Sequence, residues 1–233
     1  MTYVLSLGGS IVAPPEGPDV PFLVELRSRL ETWLGADFSR RLVLVVGGGG
    51  PARSYQTALK AIARLRGAEA PANEALDQIG IAATKITAHL VATALVGLCA
   101  DPVVEDPTAD IAFTGRILVA SGWKPGFSSD YDAVLLGERF GASIIINLSN
   151  IAKVYTADPK VVLNATALDT ISWPEFRTMV GFVWTPGANL PFDPIASARA
   201  ETAGLKVICA AGRNLDNLIN ILDGRAFVGT FIG

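Results

Sequence analysis

Leu42-Val-Leu-Val-Val-Gly-Gly-Gly-Gly-Pro-Ala-Arg53 runs five apolar residues straight into four glycines, a proline and an arginine. Val and Leu without alternation suit a strand buried on both faces. Gly47 to Gly50 lack a Cβ, so their backbone N–H groups can approach a bound anion closely. Pro51 suits the first turn of a helix, where its missing N–H is no loss. That helix would point its unsatisfied N–H groups and positive dipole end back at the glycines, with Arg53 adding a full charge. A phosphate would fit there. The same four glycines also suit a plain flexible connection, and this turn alone does not choose.

Two other stretches end apolar runs in the same way. Residues 3–7 lead into Gly8-Gly9-Ser10, and 117–120 lead into Ser121-Gly-Trp-Lys-Pro-Gly-Phe-Ser-Ser-Asp130. None fits a G-x-x-x-x-G-K-[ST] phosphate loop or a dinucleotide G-x-G-x-x-G fingerprint.

Composition narrows the field. The chain has 233 residues, 50% of them hydrophobic and 18% charged, enough for a sizeable core in a single α/β unit. A net charge of −3, a pI near 5.2 and the absence of a Lys/Arg run argue against a nucleic-acid partner or an anionic membrane. Cys99 and Cys209 lie far apart inside apolar runs, which suits reduced, buried thiols and a cytoplasmic setting. The longest apolar region, 86–100, is too short to span a bilayer and carries His89. The expectation is a soluble protein with no membrane partner.

Along the chain, Asp19 is placed to cap a helix with Pro21 in its first turn. Helices are also expected over 51–66, 74–99 and 131–140, the last capped by Asp130. Further helices start at Ser172-Trp-Pro-Glu175 and Asp193-Pro194, and Asn214 caps 215–222. Strands are expected over 102–104, 117–120, 143–148, 206–211 and 227–232 besides the first two. Such alternation gives a mostly parallel sheet covered on both faces, whose ligands bind beyond the carboxyl ends of its strands. All the glycine-rich turns fall at those ends. Three anion-binding turns exceed the need of one phosphate, and two phosphorylated ligands are the simplest reading.

Six motifs then stand in order and spacing: Leu7-Gly-Gly-Ser-Ile11, Val46-Gly-Gly-Gly-x-x-Ala-Arg53, Asp77-x-Ile-Gly-Ile-x-x-Thr84, Pro125-Gly-x-Ser-Ser-Asp130, Asn150-x-x-x-Val-Tyr-Thr-Ala-Asp-Pro159 and Asp193-Pro-x-Ala196. Together they resemble the amino acid kinase superfamily, closest to the uridylate kinases of archaeal type, over nearly the whole chain. The resemblance implies a three-layer αβα sandwich with a mostly parallel sheet of about eight strands, as one domain over 1–233. Residues 1–145 would mainly bind the monophosphate and 146–233 mainly ATP. It implies transfer of a phosphoryl group from ATP to UMP with Mg²⁺ held mainly by the nucleotide phosphates rather than by protein ligands. It also implies a homo-oligomer, commonly a hexamer.

Residue by residue, the resemblance places UMP against Gly48, Asp77 and the loop Trp123, Lys124, Pro125, Gly126, Phe127, Ser128 and Ser129. Asp77 would meet the ribose, and the two serines the α-phosphate. ATP would lie against Gly9, Ser10, Gly49 and Arg53 by its phosphates and against Ser149, Asn150, Tyr155 and Asp158 by its base and ribose. Apart from the resemblance, Asp77 also suits the helix dipole, Tyr155 a core aromatic and Asp158 an Asp-Pro turn. Lys85, Lys124, Lys153 and Lys160 are further cations near the motifs, and each also suits a solvated surface.

Two departures stand out. Many superfamily members carry a lysine where this chain has Ser6. The stretch after the central strand, usually Asn-Val-Asp-Gly-Val-Tyr, reads Asn150-Ile-Ala-Lys-Val-Tyr155, so Ala152 replaces a carboxylate and Lys153 a glycine. Either catalysis is impaired, or the charge arrangement is rebuilt around Asp130, Asp193 and Lys153; the catalytic residues expected are Arg53, Asp130 and Lys153. Three readings stay open: an active uridylate kinase, a non-catalytic nucleotide- or oxyanion-binding homologue, and a kinase for another small acceptor.

Overall fold

The computed structural model describes residues 2–159, 161–183 and 190–233; Lys160 lies outside them. In chain order the elements are β1 (Thr2–Leu7), α1 (Gly9–Val12), α2 (Val20–Gly35), β2 (Arg41–Val46), α3 (Gly49–Leu65), α4 (Asn73–Ala94), β3 (Ile117–Ala120) and α5 (Ser129–Arg139). They continue with β4 (Ile144–Ser149), β5 (Thr170–Ile171), α6 (Trp173–Val180), α7 (Pro194–Thr202), β6 (Lys206–Ala211), α8 (Leu215–Leu222) and β7 (Thr230–Ile232).

The strands form one sheet in the order β3-β2-β1-β4-β6-β7-β5. β3, β2, β1, β4 and β6 are parallel to their neighbours, so their carboxyl ends share one edge. β7 runs antiparallel to β6 and parallel to β5. Strand residues alternate between two cores. Leu5, Leu7, Leu44, Val46, Ile146 and Leu148 join α2, α4 and α8 on one face. Val4, Val43, Val45, Ile145 and Val207 join α5, α6 and α7 on the other. This is the three-layer α/β arrangement expected from the sequence, because a strand clothed in Val, Leu and Ile on both sides requires helices above and below.

The caps follow the sequence closely. Asp19 accepts the Phe22 amide, Asp193 the Ala196 amide and Asn214 the Asn217 amide, and Ser172 with Glu175 closes a reciprocal capping box. The cap of α5 is Ser128, which accepts the Tyr131 amide. Asp130 falls inside the first turn instead, and its carboxylate is engaged elsewhere. The stretch 102–104 makes only a bridge between Val104 and Ala120; Pro102 has no N–H to extend it. The helix expected to reach residue 99 stops at Ala94, just ahead of Gly97 with its φ of +93°, a conformation natural only to glycine.

Candidate active site

Five strand ends build the site edge. After β1 the chain passes Gly8 to Ser10, after β2 Gly47 to Gly50, after β3 the loop 121–128, at the end of β4 Ser149 and then Asn150, and after β6 Gly212. Backbone bonds stitch the turns together: the Gly8 amide to the Leu148 carbonyl at 2.8 Å, the Gly47 amide to Leu7 at 3.0 Å and the Gly212 amide to Ser149 at 2.8 Å. The Asn150 side-chain amide donates to the Ser10 hydroxyl at 2.8 Å, joining the β1 and β4 turns.

The glycines are required by contact as well as by freedom. A Cβ on Gly9 would stand 2.1 Å from the Gly49 nitrogen and 2.5 Å from the Gly47 carbonyl. Two turns therefore press backbone on backbone, and Gly49 itself has φ +60°. Gly48 packs instead toward α4, where its Cβ would meet Ala52 and the Gly80 carbonyl. Arg53 follows in the first turns of α3, exposed, with no ion pair of its own among the described residues.

Beneath the turns lies an acidic group that sequence reading assembled only in part. The Ser6 hydroxyl donates to Asp130 at 2.8 Å, and the Asp193 amide donates to the same carboxylate at 3.2 Å. Loss of hydration raises the Asp130 pKa to about 6, offset in part by the Ser6 bond and reinforced by the charge of Asp193. Asp132, buried on α5, rises to about 8, chiefly by desolvation, with Asp130, Asp106 and Asp193 adding repulsion. Asp193 is raised by burial too. Ser6, one of the two departures noted in the sequence, thus holds Asp130 through a neutral hydroxyl. Among the described residues no group of three or more His, Cys, Asp or Glu side chains is arranged to hold a metal ion.

Asp77 is buried in α4, and its carboxylate accepts the Gly126 amide at 2.8 Å, so it tethers the 121–128 loop. In that loop Trp123, Phe127 and Tyr131 form an aromatic ladder with ring centroids 5.7 and 4.5 Å apart. The Lys124 ammonium lies 3.7 Å from the Trp123 ring, a cation–π contact. Pro125 and Ser129 complete the loop and open α5.

The remaining expected residues make their contacts beside β5. Lys153 pairs with Asp169, at the start of β5. Tyr155 bridges Ala167, and the Asp158 carbonyl accepts the Val161 and Val162 amides. Both belong to a loop that folds on itself beside β5. The roles of Ser6 and Thr84 escaped sequence reading because each acts through a partner far away in the chain, Asp130 and Gly122; that of Asp132, whose partner Trp123 is only nine residues away, depends on how the loop turns back onto α5. The Ser6 side chain, at the end of a strand that feeds a glycine pair, was the available signal.

Comparison with known proteins agrees with this architecture. The model of the amino acid kinase family matches residues 1–211. The chain is 36% identical over 237 aligned positions to a uridylate kinase of Methanospirillum hungatei, covering 99% of this chain and 94% of that protein. It is 32% identical to one from Thermoplasma volcanium, covering 99% and 97%. The crystal structure of uridylate kinase from Archaeoglobus fulgidus superposes with a TM-score of 0.80 at 31% identity, covering 100% of both chains. Among the described residues no helix is long and apolar enough to cross a membrane.

Proposed function

The chain belongs to the amino acid kinase family, and from that premise we propose that it is a uridylate kinase, moving the γ-phosphoryl group of ATP to UMP. The observation that carries this reading is the single sheet edge on which glycine turns from β1 and β2 interlock beside the loop after β3. Two phosphorylated ligands side by side would draw on the anion-binding turns of such an edge, and the similarity to proteins called uridylate kinases favours UMP as the acceptor.

In this reading UMP lies over Gly48, Asp77 and the loop from Trp123 to Ser129. ATP lies over Gly9, Ser10, Gly49, Ser149 and Asn150, with its base and ribose toward Tyr155 and Asp158. Mg²⁺ arrives with the nucleotide phosphates and neutralises part of their charge. Phosphoryl transfer asks the protein chiefly for in-line placement and charge stabilisation. Backbone N–H groups of the turns and Arg53 meet the phosphates, each such donor contributing on the order of a few kcal/mol where water is excluded. Asp130, fixed by Ser6 and the Asp193 amide, anchors α5 under the acceptor. Lys153 would swing from Asp169 to the transferring phosphate.

A homo-oligomer, a hexamer by the resemblance, is part of the same proposal. On α3, Tyr55, Ile62 and Leu65 are exposed and, with Ala58, fall at the 3-4-3 spacing of one helix stripe. A second copy seated there would cover it. Light scattering that returns a monomer at micromolar concentration would refute this part.

One observation favours a second reading, a nucleotide-binding homologue without turnover: Ala152 stands where a carboxylate is usual and Lys153 is engaged by Asp169. ADP release measured across UMP, CMP, AMP and GMP decides between the two. UMP should be strongly preferred; equal use of all four, or release with none, contradicts the kinase proposal.

A further inference from the structure

The loop between β3 and α5 has no strand ladder to satisfy its amides, and buried or half-buried amides require acceptors. Three side chains from two helices supply them. Thr84 Oγ1 of α4 accepts the Gly122 amide at 2.8 Å, Asp132 Oδ2 of α5 the Trp123 amide at 3.2 Å, and Asp77 Oδ2 of α4 the Gly126 amide at 2.8 Å. All three acceptors are buried. The Asp106 carboxylate additionally engages the Trp123 side chain.

Asp132 is the least expected of these. Its neighbours Ala133 and Val134 are core residues of α5, and an apolar side chain there would fold at lower cost than a carboxyl group. Its second oxygen, Oδ1, has no hydrogen-bond partner among the described residues, and the charged groups facing it there, Asp130, Asp106 and Asp193, are all of like sign. The only bond it makes among the described residues is to the acceptor loop. Resting on the uridylate kinase reading, we infer that Asp132 is a positioning residue for the acceptor: by holding the Trp123 amide it fixes the loop from which Ser128 and Ser129 meet the monophosphate.

The test uses Asp132→Ala and Asp132→Asn in the full-length chain, with hydrogen exchange of the 121–128 amides beside KM for UMP and for ATP. Leaving one buried amide unpaired corresponds to about 5- to 100-fold. In Asp132→Ala, exchange at Trp123 and the KM for UMP should rise within that range, while the KM for ATP stays within about twofold. Asp132→Asn, whose side-chain carbonyl still accepts the amide, should restore both. Unchanged exchange in folded Asp132→Ala, a parallel rise in both KM values, or an Asn variant as impaired as Ala overturns the inference. Should Asp132→Ala fail to fold, Asp132→Leu fills the space without an acceptor and is read the same way. A wild-type chain that turns over no UMP refutes the acceptor reading by itself, while exchange still decides whether Asp132 holds the loop.

Discussion

Gly9→Ala separates backbone contact from helix propensity. Gly9 opens α1, where alanine ordinarily favours helix by about 1 kcal/mol, so local propensity alone predicts a small gain in stability. The contacts predict the opposite. The new Cβ would stand 2.1 Å from the Gly49 nitrogen and 2.5 Å from both Gly47 C and O, whereas such atoms rest at about 3.5 Å or more. The β1 and β2 turns must therefore part by about 1 Å, because every clashing atom is backbone and none can rotate away. Overpacking of this kind costs about 1–3 kcal/mol, or a fall in Tm of roughly 2–12 °C for a chain of this size. The same displacement at a phosphate site costs about 10²-fold in turnover. Thermal melting and coupled ADP release check both. Gly35→Ala, whose Cβ meets nothing within 4 Å, serves as the control and should keep wild-type turnover. A Gly9→Ala chain that melts at or above the wild type and turns over normally would refute the interlocked-turn account.

Other outcomes follow from single contacts. Arg53→Ala should lower turnover at least tenfold and leave Tm nearly unchanged, since Arg53 is exposed and makes no ion pair among the described residues; a loss of Tm with full turnover would make it structural. Lys153→Ala should cut turnover while Asp169→Asn, which frees the lysine, should not; equal and small effects would reduce the pair to a surface salt bridge worth less than about 1 kcal/mol. Asp132 titrates near 8 in the fold against 3.8 as a free side chain, so the stability it permits is fully present below about pH 4 and is lost as pH rises toward 8. Asp132→Asn should therefore gain stability over the wild type progressively across that window, and parallel melting curves from pH 4 to 8 would contradict the raised pKa.

What the sequence made legible was whatever local rules govern. Largely apolar runs leading into glycine-containing turns marked β1, β2 and β3, and capping side chains marked α2, α6, α7 and α8 within a residue or two. The two-residue β5 was not legible because Thr170 and Ile171 carry no pattern of their own and are ordered by pairing with β7. The reversal of β7 was hidden for a similar reason, since nothing in its three residues fixes a direction. At the site, glycine turns could be read from the sequence, but the bond from Ser6 to Asp130 joins residues 124 positions apart, and the short-range one from Trp123 to Asp132 depends on how the loop turns back onto α5. Lys153 was expected at the phosphates because it replaces a glycine beside Ala152, where a carboxylate is usual; its partner Asp169 comes from a stretch in which no element had been expected.

The central claim is that ATP and UMP meet on the edge formed by the β1, β2 and β3 turns and exchange a phosphoryl group there. The most direct measurement is to incubate the purified chain with ATP, UMP and Mg²⁺ and to separate the nucleotides chromatographically. UDP and ADP should appear in equal amounts and depend on both substrates. ATP and UMP that bind, by calorimetry, yet yield no UDP would contradict the claim and leave a nucleotide-binding protein on a kinase fold.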